Sequence, residues 1–308
     1  MKPAHCLLST AFALVLAGSA SEASSQAQPR DPTILVTGQA PVEGDAARRI
    51  VERIAVRRDG QLARFEAPVC PEVSGFPEPY AGMVAERIRA VARGAGARVA
   101  GAGCTPNLHL VIVDDGPGFA RELHRAQPGA FAGIARAELR RLTQEAGPTR
   151  GWTKTMVRDA NGRVPNVAPS DRGTESAASP VSQPSSAIGG TRVLRVDRTS
   201  LVNPQVVQSI EHSFVVLETR AIFGMDLLQV ADYAAMRGLA ITAPALPAGE
   251  HSILTLFAGA PDRAPRRLTP VDRGYLAGLY GAPANLTAAA QSAAIARSIE
   301  RETAARIR

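Results

Sequence analysis

QLARFEAPVCPEVSGFPEPYAGMVAERIRAVARGAGARVAGAGCTPNLHLVIVDDG, residues 61–116, changes its hydrophobic period twice. Over 61–69, Ala63, Phe65 and Ala67 alternate with Leu62, Arg64 and Glu66, the two-residue repeat of a strand with one covered face, and Cys70-Pro71 ends it. From Pro77 to Arg93 the period lengthens. Val84, Ile88 and Val91 fall on one helical face, with Glu86, Arg87 and Arg89 assigned to solvent, and Gly94 and Gly96 stop the helix. Leu108–Val113 (LHLVIV) is short and apolar, a buried strand closed by Asp114-Asp115-Gly116. Strand, helix, strand is a βαβ unit, and a right-handed crossover makes its strands parallel. The expected fold class is therefore α/β (α+β), a mixed sheet with packed helices.

Working outward, 45–58 reads as a short surface helix with Ile50, Ile54 and Val51 on its inner side, followed by an Asp59-Gly60 turn. Residues 118–146 read as two helical pieces broken near Pro128-Gly129, with Ile134, Leu139 and Leu142 on the apolar face of the second. Trp152–Val157 is β-prone. Residues 163–190 are rich in Pro, Ser, Ala and Gly without a period, a loop or linker between a first half (45–162) and a second half (191–308). Strands are expected at 192–198 and 213–222. A helix is expected at 225–239, with Leu228, Ala231, Ala235 and Leu239 on one seam and Asp226 near its positive end. Thr269 and Pro270 have the residue types of an N-cap and a first helical position, and an alanine-rich helix over about 287–305 carries Ile295 and Ile299.

The N-terminus has an export pattern. Lys2 precedes the apolar run Leu7–Ala17, and small residues through Ser25-Gln26-Ala27 offer cleavage options, so residues 1–27 read as a cleavable signal peptide and the protein as periplasmic or secreted. No later apolar run has the length of a membrane span. Cys70 and Cys104 then remain, an even pair expected to form one disulfide in an oxidising compartment. Aromatic residues are 4% of the chain, so the core must be built from Val, Leu, Ile and Ala. The net charge of +7 comes from arginines interleaved with acids, as in Arg136–Glu138–Arg140–Arg141–Glu145, and lysines occur only at Lys2 and Lys154. That dispersal excludes a clustered nucleic-acid face and leaves weak attraction to an anionic envelope surface.

Two resemblances bear on function. Asp31-Pro32-Thr33-Ile34-Leu35-Val36-Thr37-Gly38 resembles the segment that opens many TonB-dependent outer-membrane receptors; within an extended stretch over 28–44 it is also readable as an edge strand or tether. The second half, 192–281, is similar to the zincin metallopeptidases of the matrixin kind. The likeness rests on His251-Ser252-Ile253-Leu254, Leu268-Thr269-Pro270-Val271-Asp272 and Leu279-Tyr280-Gly281, and the sequence also resembles a group of exported bacterial proteins that share the same tail. The resemblance implies a zincin-like layout whose metal helix is 225–239. A zincin holds its ion with two imidazoles one helical turn apart, beside a carboxylate. Aligned on Gly238, the two ligand positions are Ala231 and Ala235, the third is Ile241, and Asp232 stands at the general base. Methyl groups hold no metal, so neither metal nor other cofactor is expected. The expected function is a non-catalytic binding scaffold. The alternatives are an atypical metal-dependent peptidase or hydrolase, with Asp232, His251, Glu218 and His212 meeting around the helix, and an envelope interaction module whose partner is a cell-envelope protein or peptide.

The remaining motifs are weaker. Gly94-Ala95-Gly96 ends a helix instead of opening one, which excludes a dinucleotide loop. Gly116-Pro117-Gly118 reads as a turn, because Pro117 lacks an N–H and no P-loop Lys follows. No G-x-S-x-G is present for a serine nucleophile. Asp114 and Asp115 are the best-placed acids of the first half, at the carboxyl end of a strand.

Overall fold

Leu108–Val113 alternates as an inner strand must: Leu108, Leu110 and Ile112 enter the main core, while Val111 and Val113 pack against a second cluster on the opposite face. The computed structural model describes residues 41–159, 164, 166–167, 192–193, 204–247, 251–259 and 264–305. In chain order the elements are α1 (Gly44–Ile54), β1 (Arg64–Phe65), β2 (Pro71–Ser74), α2 (Tyr80–Gly94), β3 (Leu108–Val113), α3 (Gly116–Ala126), α4 (Arg136–Gln144), β4 (Thr149–Asp159), β5 (Asn166–Val167), β6 (Arg192–Val193), β7 (Val206–Glu218), α5 (Thr219–Ile222), α6 (Leu227–Leu239), α7 (Pro270–Gly281) and α8 (Ala288–Ala304). Short 3₁₀ turns lie at Pro128–Phe131 and Ile253–Thr255.

The fold is α/β, with a five-stranded mixed sheet. β2 and β7 flank β3, both parallel to it, and β4 runs antiparallel along β7. β1 pairs in parallel with Ser209–Ile210 of β7. β4 fills one edge of β7, so β1 and β3 share the other edge end to end. Both halves of the sequence thus supply strands to one sheet. α6 packs on the main-core face with α2, and α7 and α8 complete that side. α3, α4 and the Pro128–Phe131 turn cover the other face, around Phe131, Leu142, Trp152 and Phe214. The loop expected at 163–190 and the strand at 192–198 fall almost wholly outside the described residues, as do the leader and the 31–38 segment. Within them, β5 pairs antiparallel with β6.

Several expectations are corrected. The strand at 61–69 shrinks to Arg64–Phe65. The main chain of Leu62 is taken by a side chain instead: Leu62 N–H donates to Gln291 Oε1 and Gln291 Nε2 donates to the Leu62 carbonyl. The βαβ unit begins at Pro71–Ser74, where proline is tolerated as the first residue of an edge strand. Gly116-Pro117-Gly118 is the first turn of α3 instead of a loop. Asp115 caps it by accepting from Gly118 N–H, and the proline needs no partner there. Leu228 is exposed, and residues 229–239 of α6 are buried all round in place of a single seam. Arg87 is drawn from solvent by a buried acid. Thr269 and Asp272 form a full capping box, with Pro270 in the first turn.

Cys70, just before β2, and Cys104, ahead of β3, form a disulfide 34 residues apart in sequence. It ties the loop entering one parallel strand to the loop entering the next. Closing a loop of that size in the unfolded chain contributes about 3–4 kcal/mol. Replacing both cysteines by serine should lower the urea unfolding free energy by about 3 kcal/mol. Unchanged stability would contradict the role given to this link.

Candidate functional site

The four residues expected to meet around α6 take up separate partners. Asp232 is fully buried and accepts from Arg87 Nε at 2.6 Å, Arg87 Nη2 at 3.1 Å and Leu268 N–H at 2.9 Å. It joins α2 to α6 and to the chain entering α7. The bond to Asp232 raises the Arg87 guanidinium above its ordinary value, against the opposing effect of burial. Glu218, at the end of β7, is 2% exposed and pairs with the equally buried Arg150 at 3.2 Å and with Arg220 at 2.8 Å. Arg150 also donates to the carbonyls of Leu142, Glu145 and Gly147, lacing α4 to the sheet. His251 is exposed, and its carbonyl accepts from Thr269 Oγ1. His212 lies on the other face of the sheet. Among the described residues no group of three or more His, Cys, Asp or Glu side chains is placed to hold a metal ion. Asp114 is exposed beside Asp115, whose carboxylate is spent on the α3 cap.

The segments that carry the zincin-like resemblance do touch one another. Asp272 is fully buried and accepts from Ser252 Oγ at 2.5 Å, Ile253 N–H at 2.8 Å and Thr269 N–H at 2.9 Å. Burial pushes its carboxyl up, and these donors pull it back only in part. One acid thereby pins the Ser252-Ile253-Leu254 turn to the start of α7.

A groove of about 550 Å³ opens on the sheet face beneath α3. It owes its chemistry to register. Trp152 of β4, Phe214 of β7, His109 of β3 and Glu72 of β2 are direct cross-strand partners in one row. Their rings stack at the spacing of the strands, with centroids 4.8 Å apart from Trp152 to Phe214 and again from Phe214 to His109. Phe131 extends the stack beyond Trp152. His212 stands two residues before Phe214, opposite Lys154, and stacks on His109 with centroids 5.7 Å apart. Lys154 pairs with Glu211 at 3.0 Å. Phe119 and Leu123 of α3 supply the apolar wall.

The hydrogen bonds order the protons of the two rings when both are uncharged. Glu72 Oε2 lies 3.0 Å from His109 Nδ1, and His109 Nε2 lies 3.4 Å from His212 Nδ1. A carboxylate only accepts, so Nδ1 of His109 carries a proton, and in the uncharged ring Nε2 presents a lone pair. His212 Nδ1–H must then donate, and the lone pair of the chain ends at His212 Nε2. Burial pushes His212 below its ordinary value of 6.5, with His109 and Lys154 acting in the same direction and Glu211 against them. His212 is therefore an uncharged acceptor at neutral pH.

Sequence reasoning named His212 but not the partners that give it a role. Glu72 was read as lying past a strand end, and His109 and Lys154 stood alone. The available signal was the place of His109 between Leu108 and Leu110 in LHLVIV, which turns it to the opposite face. No protein-family model, curated protein or solved structure matches the chain.

The lowered value of His212 has a stability consequence. Below about 6.5 the unfolded chain takes up a proton that the folded chain refuses until more acid pH, so the folded state loses ground as pH falls through that window and is unaffected above it. Melting temperatures of the wild type and His212→Phe between pH 5 and 8 should diverge in favour of the variant on the acid side, by no more than one proton's worth of slope. Parallel curves would contradict the assignment.

Proposed function

We propose that this protein is an extracytoplasmic binding protein on a zincin-like scaffold without a catalytic metal, and that its ligand sits in the groove of the His109–His212 pair. The observation that carries the reading is the state of α6. Ala231 and Ala235 stand at the first two ligand positions implied by the resemblance and are fully buried, and Asp232, at the general-base position, is committed to Arg87 and the Leu268 N–H. Ile241 at the third position offers no lone pair. These residues do not fit a zinc ion. The groove on the opposite face fits a ligand with an apolar body against Phe119, Leu123 and Phe214, and with a hydrogen-bond donor for His212 Nε2. The contact between Asp272 and the Ser252-Ile253-Leu254 turn supports descent from the zincin layout.

Export is supported by the Cys70–Cys104 disulfide, a bond that persists in oxidising compartments. No helix among the described residues is long and apolar enough to cross a membrane. The test is metal analysis of the purified chain together with a peptide-cleavage assay with and without chelator. Less than about a tenth of an equivalent of zinc and no chelator-sensitive cleavage are expected, because the coordinating side chains are absent. One zinc per chain, lost in His251→Ala or His212→Ala, would overturn the proposal in favour of a metallopeptidase.

A further inference from the structure

Arg237, in the last turn of α6, is 7% exposed. Its Nη1 donates to Thr242 Oγ1 at 2.8 Å and to the Ala243 carbonyl, and its Nη2 donates to the Pro244 carbonyl at 2.8 Å and the Tyr233 hydroxyl at 3.2 Å. Every acceptor is neutral, and Nε has no partner. Among the described residues no carboxylate pairs with it. Other buried or half-buried arginines, Arg64, Arg87 and Arg150 among them, each meet an acid. A buried charge left without a counter-charge is costly, and an orphaned buried donor adds to that cost.

Arg237 lines a pocket of about 290 Å³ between α4, the β4 strand and the chain that follows α6. Arg58 and Arg141 line it too, and Glu138 is the one acid there, 3.5 Å from Arg58 and 4.0 Å from Arg141. Three guanidinium groups against one carboxylate leave an excess of positive charge. A second buried donor without a partner, Thr153 Oγ1, belongs to the same lining. Gly151 is what lets the arginine lie there: a Cβ at that position would come within 3.2 Å of Arg237 Cγ and Cδ.

We infer that this pocket binds a small tetrahedral oxyanion of the phosphate or sulfate class, held by the guanidinium groups of Arg58 and Arg141 and drawn in by the uncompensated charge of Arg237. Planar guanidinium forks suit such oxygens, and one anion offsets the excess positive charge. The site is separate from the histidine groove and does not depend on the function proposed for it.

Thermal shift and calorimetry on the whole chain test this, with inorganic phosphate, sulfate, chloride at matched ionic strength, and phosphatidylcholine vesicles with and without phosphatidic acid. Phosphate and sulfate should raise the melting temperature saturably at one site per chain, and chloride should not. Arg58→Ala and Arg141→Ala, both at partly exposed positions, should each weaken binding about tenfold, the loss of one charged contact. Arg237→Met, which removes the uncompensated charge, should weaken binding at least tenfold, with circular dichroism checking its fold. A response to free phosphate identifies a soluble ligand, and a response only to phosphatidic-acid vesicles identifies a headgroup. A response to neither, an equal shift with chloride, or unchanged affinity in both rim variants would overturn the inference.

Discussion

Along its pairing with β4, β7 contains one extra residue. Lys154 and Thr155 are neighbours in β4, yet their partners in β7 are His212 and Ile210, so Glu211 is an inserted residue. A bulge of this kind reverses the alternation of side chains along a strand. Before it, Ile210 faces the main core; after it, Val215 and Leu217 do, and His212, Phe214 and Val216 turn to the other face. Were residues 210–212 to alternate without the bulge, His212 would share the face of Ile210, and the pair with His109 could not form. The groove, its aromatic row and its uncharged acceptor all depend on the bulge at Glu211, whose carboxylate is held by Lys154.

The rest of the fold holds this strand in place through a few buried charges that span the sequence. Arg150–Glu218 anchors the end of β7 to β4, Arg87–Asp232 joins α2 to α6, and Asp272 gathers the turn before α7. Such pairs contribute less to net stability than their distances suggest, because both ions are desolvated. Losing one partner is expensive, however, which makes each a specific lock between elements. Asp232 is the instructive case. On the zincin-like reading proposed above, the general-base position holds a structural ion pair.

Local patterns in the sequence located most elements. The period of 3.6 in α2, the apolar run of β3, the broken helix around Pro128 and the N-cap Thr269 all depend on residues near one another, and each appears where the pattern places it. What the sequence could not convey was pairing. Residues 61–69 alternate like a strand, but Gln291, 229 positions beyond Leu62, occupies the main chain there. Arg87 looked like a solvent-facing charge because its partner lies 145 residues away. The candidate site was legible only as isolated residues. His212 was singled out, but its neighbours Glu72, His109 and Lys154 come from three other strands, and the bulge that aims it has no local signature in SIEHSF.

The bulge and the hydrogen-bond chain converge on one atom, the Nε2 of His212. Long-range proton–nitrogen correlation spectra of the imidazoles at pH 7.5 read its state directly, with His212→Phe identifying the signals. The account predicts a protonated, pyrrole-type Nδ1 and a bare, pyridine-type Nε2 on His212. A proton on Nε2 with Nδ1 bare, or protons on both nitrogens, would contradict it.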